Sequence, residues 1–177
     1  MQSDKIRVLT KMSMCVALCC VTAYIAFPLP LTPGYVTLLT FAMSLTAYLL
    51  TPRQTFTVIF VYILMGAVGL PVFATGEGLS RLLGPVGGFY FAWLVAYPLL
   101  SYAKGAAPNF KRYALTNILI AVPITYAGGL ISMILVLKID LAQALTMAVL
   151  PFIPGDILKA VAAAFVGVKL QKILARR

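Results

Sequence analysis

Apolar positions dominate this chain and gather into six runs, near residues 12–27, 36–50, 55–70, 88–103, 113–137 and 156–174. Their lengths approach the roughly 17–25 residues of a bilayer-crossing helix. The first and second run short, so some local bilayer thinning is expected. The first run, MSMCVALCCVTAYIAF, follows the basic stretch MQSDKIRVLTK and resembles a signal peptide, but no A-x-A site follows it. It is therefore read as a retained helix.

The breaks between runs are distinct in character. Pro28, Pro30 and Pro33 interrupt the chain in PLPLTPGY, and Thr51-Pro52-Arg53 reads as a tight turn. Within the fifth run, Pro123 and Gly128-Gly129 are expected kink points. The segment KIDLAQALTMAVLPFIPGD mixes polar and apolar positions, which predicts a short interfacial helix and then a break at Pro151–Gly155. The longest irregular stretch is Gly69–Phe89, GLPVFATGEGLSRLLGPVGGF, with six of the thirteen glycines and one acid–base pair, Glu77 and Arg81. Non-helical backbone at membrane depth is tolerated where protein covers it or a cavity solvates it. This stretch is expected to close over a small-molecule pocket.

Composition narrows the class. The chain has 177 residues, is 62% hydrophobic, has a mean hydropathy of +1.02 and is only 10% charged. That fits an all-α polytopic membrane protein, here a compact six-helix bundle forming one membrane domain over 1–177. The net charge of +10 sits between the apolar runs and not along one polar face, which argues for membrane topology and against nucleic acid. Eleven of the fourteen cations (Lys5, Arg7, Lys11, Arg53, Lys104, Lys111, Arg112, Lys169, Lys172, Arg176 and Arg177) fall on the side of both termini. Arg81 and Lys138 fall on the other, and Lys159 lies inside a run. The positive-inside rule then places both termini in the cytoplasm of a multi-pass protein of the cytoplasmic (inner) membrane. Histidine is absent and no G-x-x-x-x-G-K-[ST] loop occurs, so no cofactor, metal or ATPase site is expected, and any ATP-driven step needs a partner. Cys15, Cys19 and Cys20 share the first run and read as small apolar helix residues.

The sharpest chemical signal is PFIPGDILK, Pro151 to Lys159. Pro154 and Gly155 open a helix, so Asp156 lies in its first turn, where the helix dipole favours a negative charge by about 0.3–1 kcal/mol. Lys159 is three residues on and shares that face. A lone charge at the bilayer centre costs about 2.5–3.5 kcal/mol, which pairing or a wet cavity offsets. The competing reading is a helix cap with a snorkelling lysine. Glu77 and Arg81 form the second pair, read either as ligand contacts or as a loop salt bridge. The loop glycines, Gly76, Gly84 and Gly87 among them, allow close backbone approach. Phe27, Tyr35, Phe73, Phe89, Tyr90 and Phe152 could wall an apolar pocket or belong to an interfacial aromatic belt.

The stretches GLPVF at 69–73, GPVGGF at 84–89 and PFIPGDILK at 151–159 resemble, in that order, the signatures of the BioY family. These are the biotin-specific S components of energy-coupling-factor (ECF) transporters. The chain departs from the family pattern at Val86, where the family has threonine, and at Thr75-Gly76, where it has a glycine pair. The resemblance implies an outward-facing biotin site with Asp156 and Lys159 as the binding pair, Arg81 in a lid, and no enzymatic activity. It also implies a transmembrane coupling subunit and two ATP-binding subunits as partners. Small residues on the first span would meet that coupling subunit, and the nearest matches are Ser13-x-x-x-Ala17 and Cys19-x-x-x-Ala23. An S component for another vitamin such as thiamine, and a protein that carries biotin without an ATPase module, stay open.

Overall fold

The computed structural model describes residues 2–30, 32–74 and 76–174. Thr75 of the glycine-rich stretch, and Arg176 and Arg177 of the cation count, lie outside the described residues. The chain is mostly helical. A long α1 (Gln2–Ala23) leads into α2 (Leu39–Leu49), α3 (Pro52–Ala67), the single turn α4 (Leu79–Leu82) and α5 (Gly87–Ala103). Then follow α6 (Phe110–Thr116), α7 (Val122–Leu137), α8 (Leu141–Ala148) and α9 (Ile153–Leu174). The segment Asp4–Ala23 and the continuous rod Phe110–Leu137 are each long and apolar enough to cross a membrane. The α8 and α9 helices pass that test together, bent by 47°.

The expectation of helix alone is corrected at the proline-rich break. There β1 (Ala26–Pro28) pairs antiparallel with β2 (Tyr35–Thr37), Phe27 opposite Val36. Prolines at 28, 30 and 33 leave too few backbone donors for a helix, and the chain turns back as a short ribbon. The ribbon takes residues expected in the second apolar run, so α2 has only 11 residues. At 1.5 Å per residue that is roughly 16 Å, about half a bilayer core.

Short as it is, α2 sits at the centre, with α1, α3, α5 and α9 around it. Its last carbonyls lack partners within the helix. Lys104, just past α5, supplies them: its ammonium donates to the carbonyls of Ala47 at 2.7 Å, Tyr48 at 2.8 Å, and Leu50. The Ser101 hydroxyl donates to the Leu50 carbonyl at 2.7 Å. Thr51 and Gln54 then cap α3 reciprocally, with Pro52 in its first turn.

The fifth run bends its hydrogen bonding where a proline demands it. Pro123 brings no N–H, and the turn before it, Asn117–Ala121, widens to a π-helix. The α7 helix runs unbroken through Gly128 and Gly129. They are close-packing positions. A Cβ on Gly128 would stand 2.4 Å from the Gly88 carbonyl oxygen, and one on Gly129 would strike the Phe89 ring at 2.1 Å. This seam draws α5 and α7 together.

Candidate functional site

The glycine-rich stretch is fastened at its start. The tip of the Phe73 ring packs against Gly66, where a Cβ would come within 2.0 Å of it, and the ring meets Tyr62 edge-on at 5.6 Å between ring centres. The Tyr62 hydroxyl donates to the Val72 carbonyl at 3.0 Å, and the Gly78 N–H donates to the Gly66 carbonyl at 2.8 Å. The loop therefore crosses the open end of the bundle as a strap anchored on α3.

Beneath it lies a cavity of about 80 Å³ bounded by the ribbon, the strap and helices α2, α5, α7 and α9. Its polar wall centres on Asp156. The first turn of α9 begins at Ile153, and the Asp156 N–H donates to the Phe152 carbonyl at 2.8 Å. The Lys159 ammonium meets Asp156 Oδ1 at 2.7 Å, with both side chains only 12–13% exposed. The Tyr126 hydroxyl donates to Oδ2 at 2.7 Å, and the Thr40 hydroxyl reaches Oδ1 at 3.4 Å. Lys159 also donates to the Thr37 carbonyl at 2.9 Å. Side chains of α2, α7 and α9 thus hold one carboxylate, and the ribbon holds its lysine partner. Desolvating an ion pair costs roughly as much as the pairing returns, so the pair is weak evidence for stability and stronger evidence for a site.

The opposite wall is aromatic and less satisfied. Tyr90 and Trp93 stack edge-on at 4.7 Å on α5, and Arg81 stands beside Tyr90. Arg81 Nε, Trp93 Nε1 and Thr125 Oγ1 are buried and find no hydrogen-bond partner among the described residues. Phe152 closes one side, 6.5 Å from the Phe89 ring and against Gly34 of the ribbon, where a Cβ would come within 2.9 Å.

Of the residues proposed from sequence, Tyr35, Arg81, Tyr90, Asp156 and Lys159 line this one cavity. Others do not. Phe73 is the strap's anchor, 2% exposed and turned into the core. Gly76 and Glu77 are exposed on the outer rim. Glu77 and Arg81 form no ion pair among the described residues, so their reading as a loop salt bridge is corrected. Gly84 follows the α4 turn outside the cavity. Gly87 starts α5 so close to α4 that a Cβ would stand 1.7 Å from the Leu82 carbonyl oxygen. On α1, Ser13 and Ala17 face outward. Cys19 and Ala23 are 0% exposed, and Ala23 borders the cavity, so that pair packs inside the bundle and presents nothing to another subunit. Phe89 and Phe152, read from sequence among the aromatics that could wall a pocket, line it too. The sequence reading missed Thr40, Trp93, Thr125 and Tyr126, which carry no signal of their own in the apolar runs.

Comparison with known proteins gives a consistent result. A family model described as the BioY family matches residues 1–176. The biotin transporter BioY2 of Lactococcus lactis subsp. cremoris is 31% identical over 98% of this chain and 95% of its own length. The biotin transporter BioY of Thermotoga maritima is 31% identical over 97% of this chain and 99% of its own. A crystal structure of the S component for biotin from an ECF-type ABC transporter superposes with a TM-score of 0.89 at 23% identity, over 97% of this chain and 94% of that one. At that identity the superposition speaks for the fold.

Proposed function

This chain belongs to the BioY family, and on that basis we propose that it is the biotin-binding, membrane-embedded specificity subunit of a biotin uptake transporter. It is a carrier component and not an enzyme. We read it as six spans in the cytoplasmic membrane with both termini in the cytoplasm, working with an ECF coupling subunit and two ATP-binding subunits.

The observation that carries this reading is the Asp156–Lys159 pair set in the wall of a cavity under the strap. Biotin has a ureido group with two N–H donors and a carbonyl, an apolar thioether ring and a carboxylate tail. Charge decides which end goes where. Lys159 is already neutralised by Asp156 and by the Thr37 carbonyl. Arg81 has no ion-pair partner among the described residues, and its Nε donor finds none there either. A carboxylate is held best by an unpaired guanidinium, so the tail lies toward Arg81. The ureido N–H groups then face Asp156, whose Oδ2 accepts from Tyr126 alone among the described residues and retains a lone pair. The ring fills the apolar space between Tyr35, Tyr90 and Phe152.

Biotin binding by purified protein tests this. Wild type is expected to bind tightly, and Asp156→Asn and Lys159→Ala are each expected to weaken binding about a hundredfold or more, since each leaves its buried partner unpaired. Unchanged affinity in both variants would remove the assigned site.

A further inference from the structure

We infer that Trp93 and Thr125 are ligand-contacting residues that set specificity, the indole N–H donating to the ligand's ureido oxygen and the hydroxyl accepting from the ureido N–H turned away from Asp156. This rests on the biotin reading above and adds two residues to it.

The argument begins from unmet hydrogen bonds. Buried polar groups in native proteins are almost always paired, and each exception asks for an explanation. Trp93 and Thr125 are each 7% exposed, and neither Nε1 nor Oγ1 has a partner among the described residues. Both residues border the cavity that holds Asp156. They stand on facing helices, α5 and α7, which the Gly88–Gly128 contact holds at close range. Trp93 lies five residues inward from Gly88 along α5, and Thr125 lies three residues inward from Gly128 along the antiparallel α7. At about 1.5 Å per residue the two come to similar depth. Tyr126, the neighbour of Thr125, places Asp156 at that depth too.

The donor and acceptor types fit one group. An indole N–H only donates, a hydroxyl does both, and an ionised carboxylate only accepts. A cyclic urea presents one carbonyl flanked by two N–H groups. Carboxylate, indole and hydroxyl together complement that pattern. Both atoms are shielded by their neighbours, so seating the ligand turns Thr125 about χ1 and tilts the indole slightly into line.

Removing an unpartnered polar atom has a signature that removing a structural one lacks. The test uses the isosteric Thr125→Val, Trp93→Phe, and Trp93 replaced by benzothienylalanine, which keeps the ring shape and lacks the N–H. Affinity is measured by calorimetry for biotin, desthiobiotin and diaminobiotin, and melting temperature is measured without ligand. Thr125→Val and the benzothienyl variant are expected to melt no lower than wild type without ligand. Both are expected to bind biotin and desthiobiotin roughly ten- to hundredfold more weakly. Diaminobiotin lacks the ureido carbonyl, and its affinity is expected to be unchanged by the indole substitution. The inference is overturned if the isosteric variants bind biotin as wild type does, or if they lose affinity equally for all three ligands while melting lower. Failure of wild type itself to bind biotin would overturn the biotin reading instead.

Discussion

At the scale of the residue, what was readable in the sequence was charge out of place. Asp156, Lys159 and Arg81 are ionisable side chains in apolar surroundings, and that contrast needs no coordinates to be seen. Trp93, Thr125 and Tyr126 give no such contrast, because an aromatic or a threonine in an apolar helix looks like core until the opposing helix is placed. The two cations differ in a way only the structure shows: Lys159 has a carboxylate partner, whereas among the described residues Arg81 has none and meets the Tyr90 hydroxyl instead. If Arg81 holds the tail, Arg81→Ala will lower biotin affinity about ten- to hundredfold and leave biotin amide, which has no carboxylate, within about threefold of wild type. Parallel calorimetry with the two ligands checks this. An equal loss for both would move the tail away from Arg81. Arg81→Lys is expected to recover only part of the loss, since an ammonium cannot offer the bidentate fork.

At the scale of the element, the sequence showed where regularity breaks but not what each break is for. Gly128-Gly129 and Pro123 sit a few residues apart in one apolar run, and both read as kink points. Their uses are separated by what lies opposite. Pro123 meets a π turn in its own helix, while Gly128 meets the backbone of Gly88 from another. The same limit hid Phe73, whose motif was visible but whose seat, Gly66, is set by tertiary packing. The ribbon escaped because three-residue strands among prolines leave no periodic trace. Gly128→Ala forces its Cβ against the Gly88 carbonyl oxygen and the Ala92 Cβ, 2.4 and 2.5 Å away. Overpacking of that kind costs about 1–3 kcal/mol or more. The variant is expected to melt several degrees lower and, because α5 and α7 both line the cavity, to bind biotin more weakly. Gly155→Ala meets only Val36 at an ordinary 3.7 Å and serves as the control with wild-type melting and binding. At the C-terminal end of α2, Lys104→Met removes the donor to the Ala47 carbonyl and leaves those of Tyr48 and Leu50 with Gln171 and Ser101 in its place. That loss is expected to cost about 2 kcal/mol and appear as a lower melting temperature, with biotin affinity of the surviving folded protein within about threefold of wild type.

At the scale of the whole molecule, the two small-residue pairs on α1 part company, and their separation defines which face is free to meet another protein. The small-x-x-x-small spacing in the sequence made Ser13/Ala17 and Cys19/Ala23 equivalent candidates. Helix geometry turns the second pair inward, where Ala23 reaches the cavity wall, and leaves the first on a surface with Leu9 and Met14, which are 64% and 68% exposed. In a bilayer an apolar surface of this kind is satisfied by lipid, so exposure alone does not select it as an interface. Small residues do, because they let a second helix approach closely. Under the proposed function, the coupling subunit packs at Ser13 and Ala17 while biotin enters from the other side. The two activities should then separate by mutation. Ala17→Trp is expected to leave biotin binding by the purified subunit within about twofold of wild type, and to abolish ATP-dependent biotin uptake once the full complex is reconstituted in vesicles. Ala23→Trp is expected to lose biotin binding itself, because a ring at that position fills the cavity wall. Uptake by the Ala17→Trp complex at the wild-type rate would place the coupling surface elsewhere on the bundle, and the outward row on α1 would then be an ordinary lipid-facing surface.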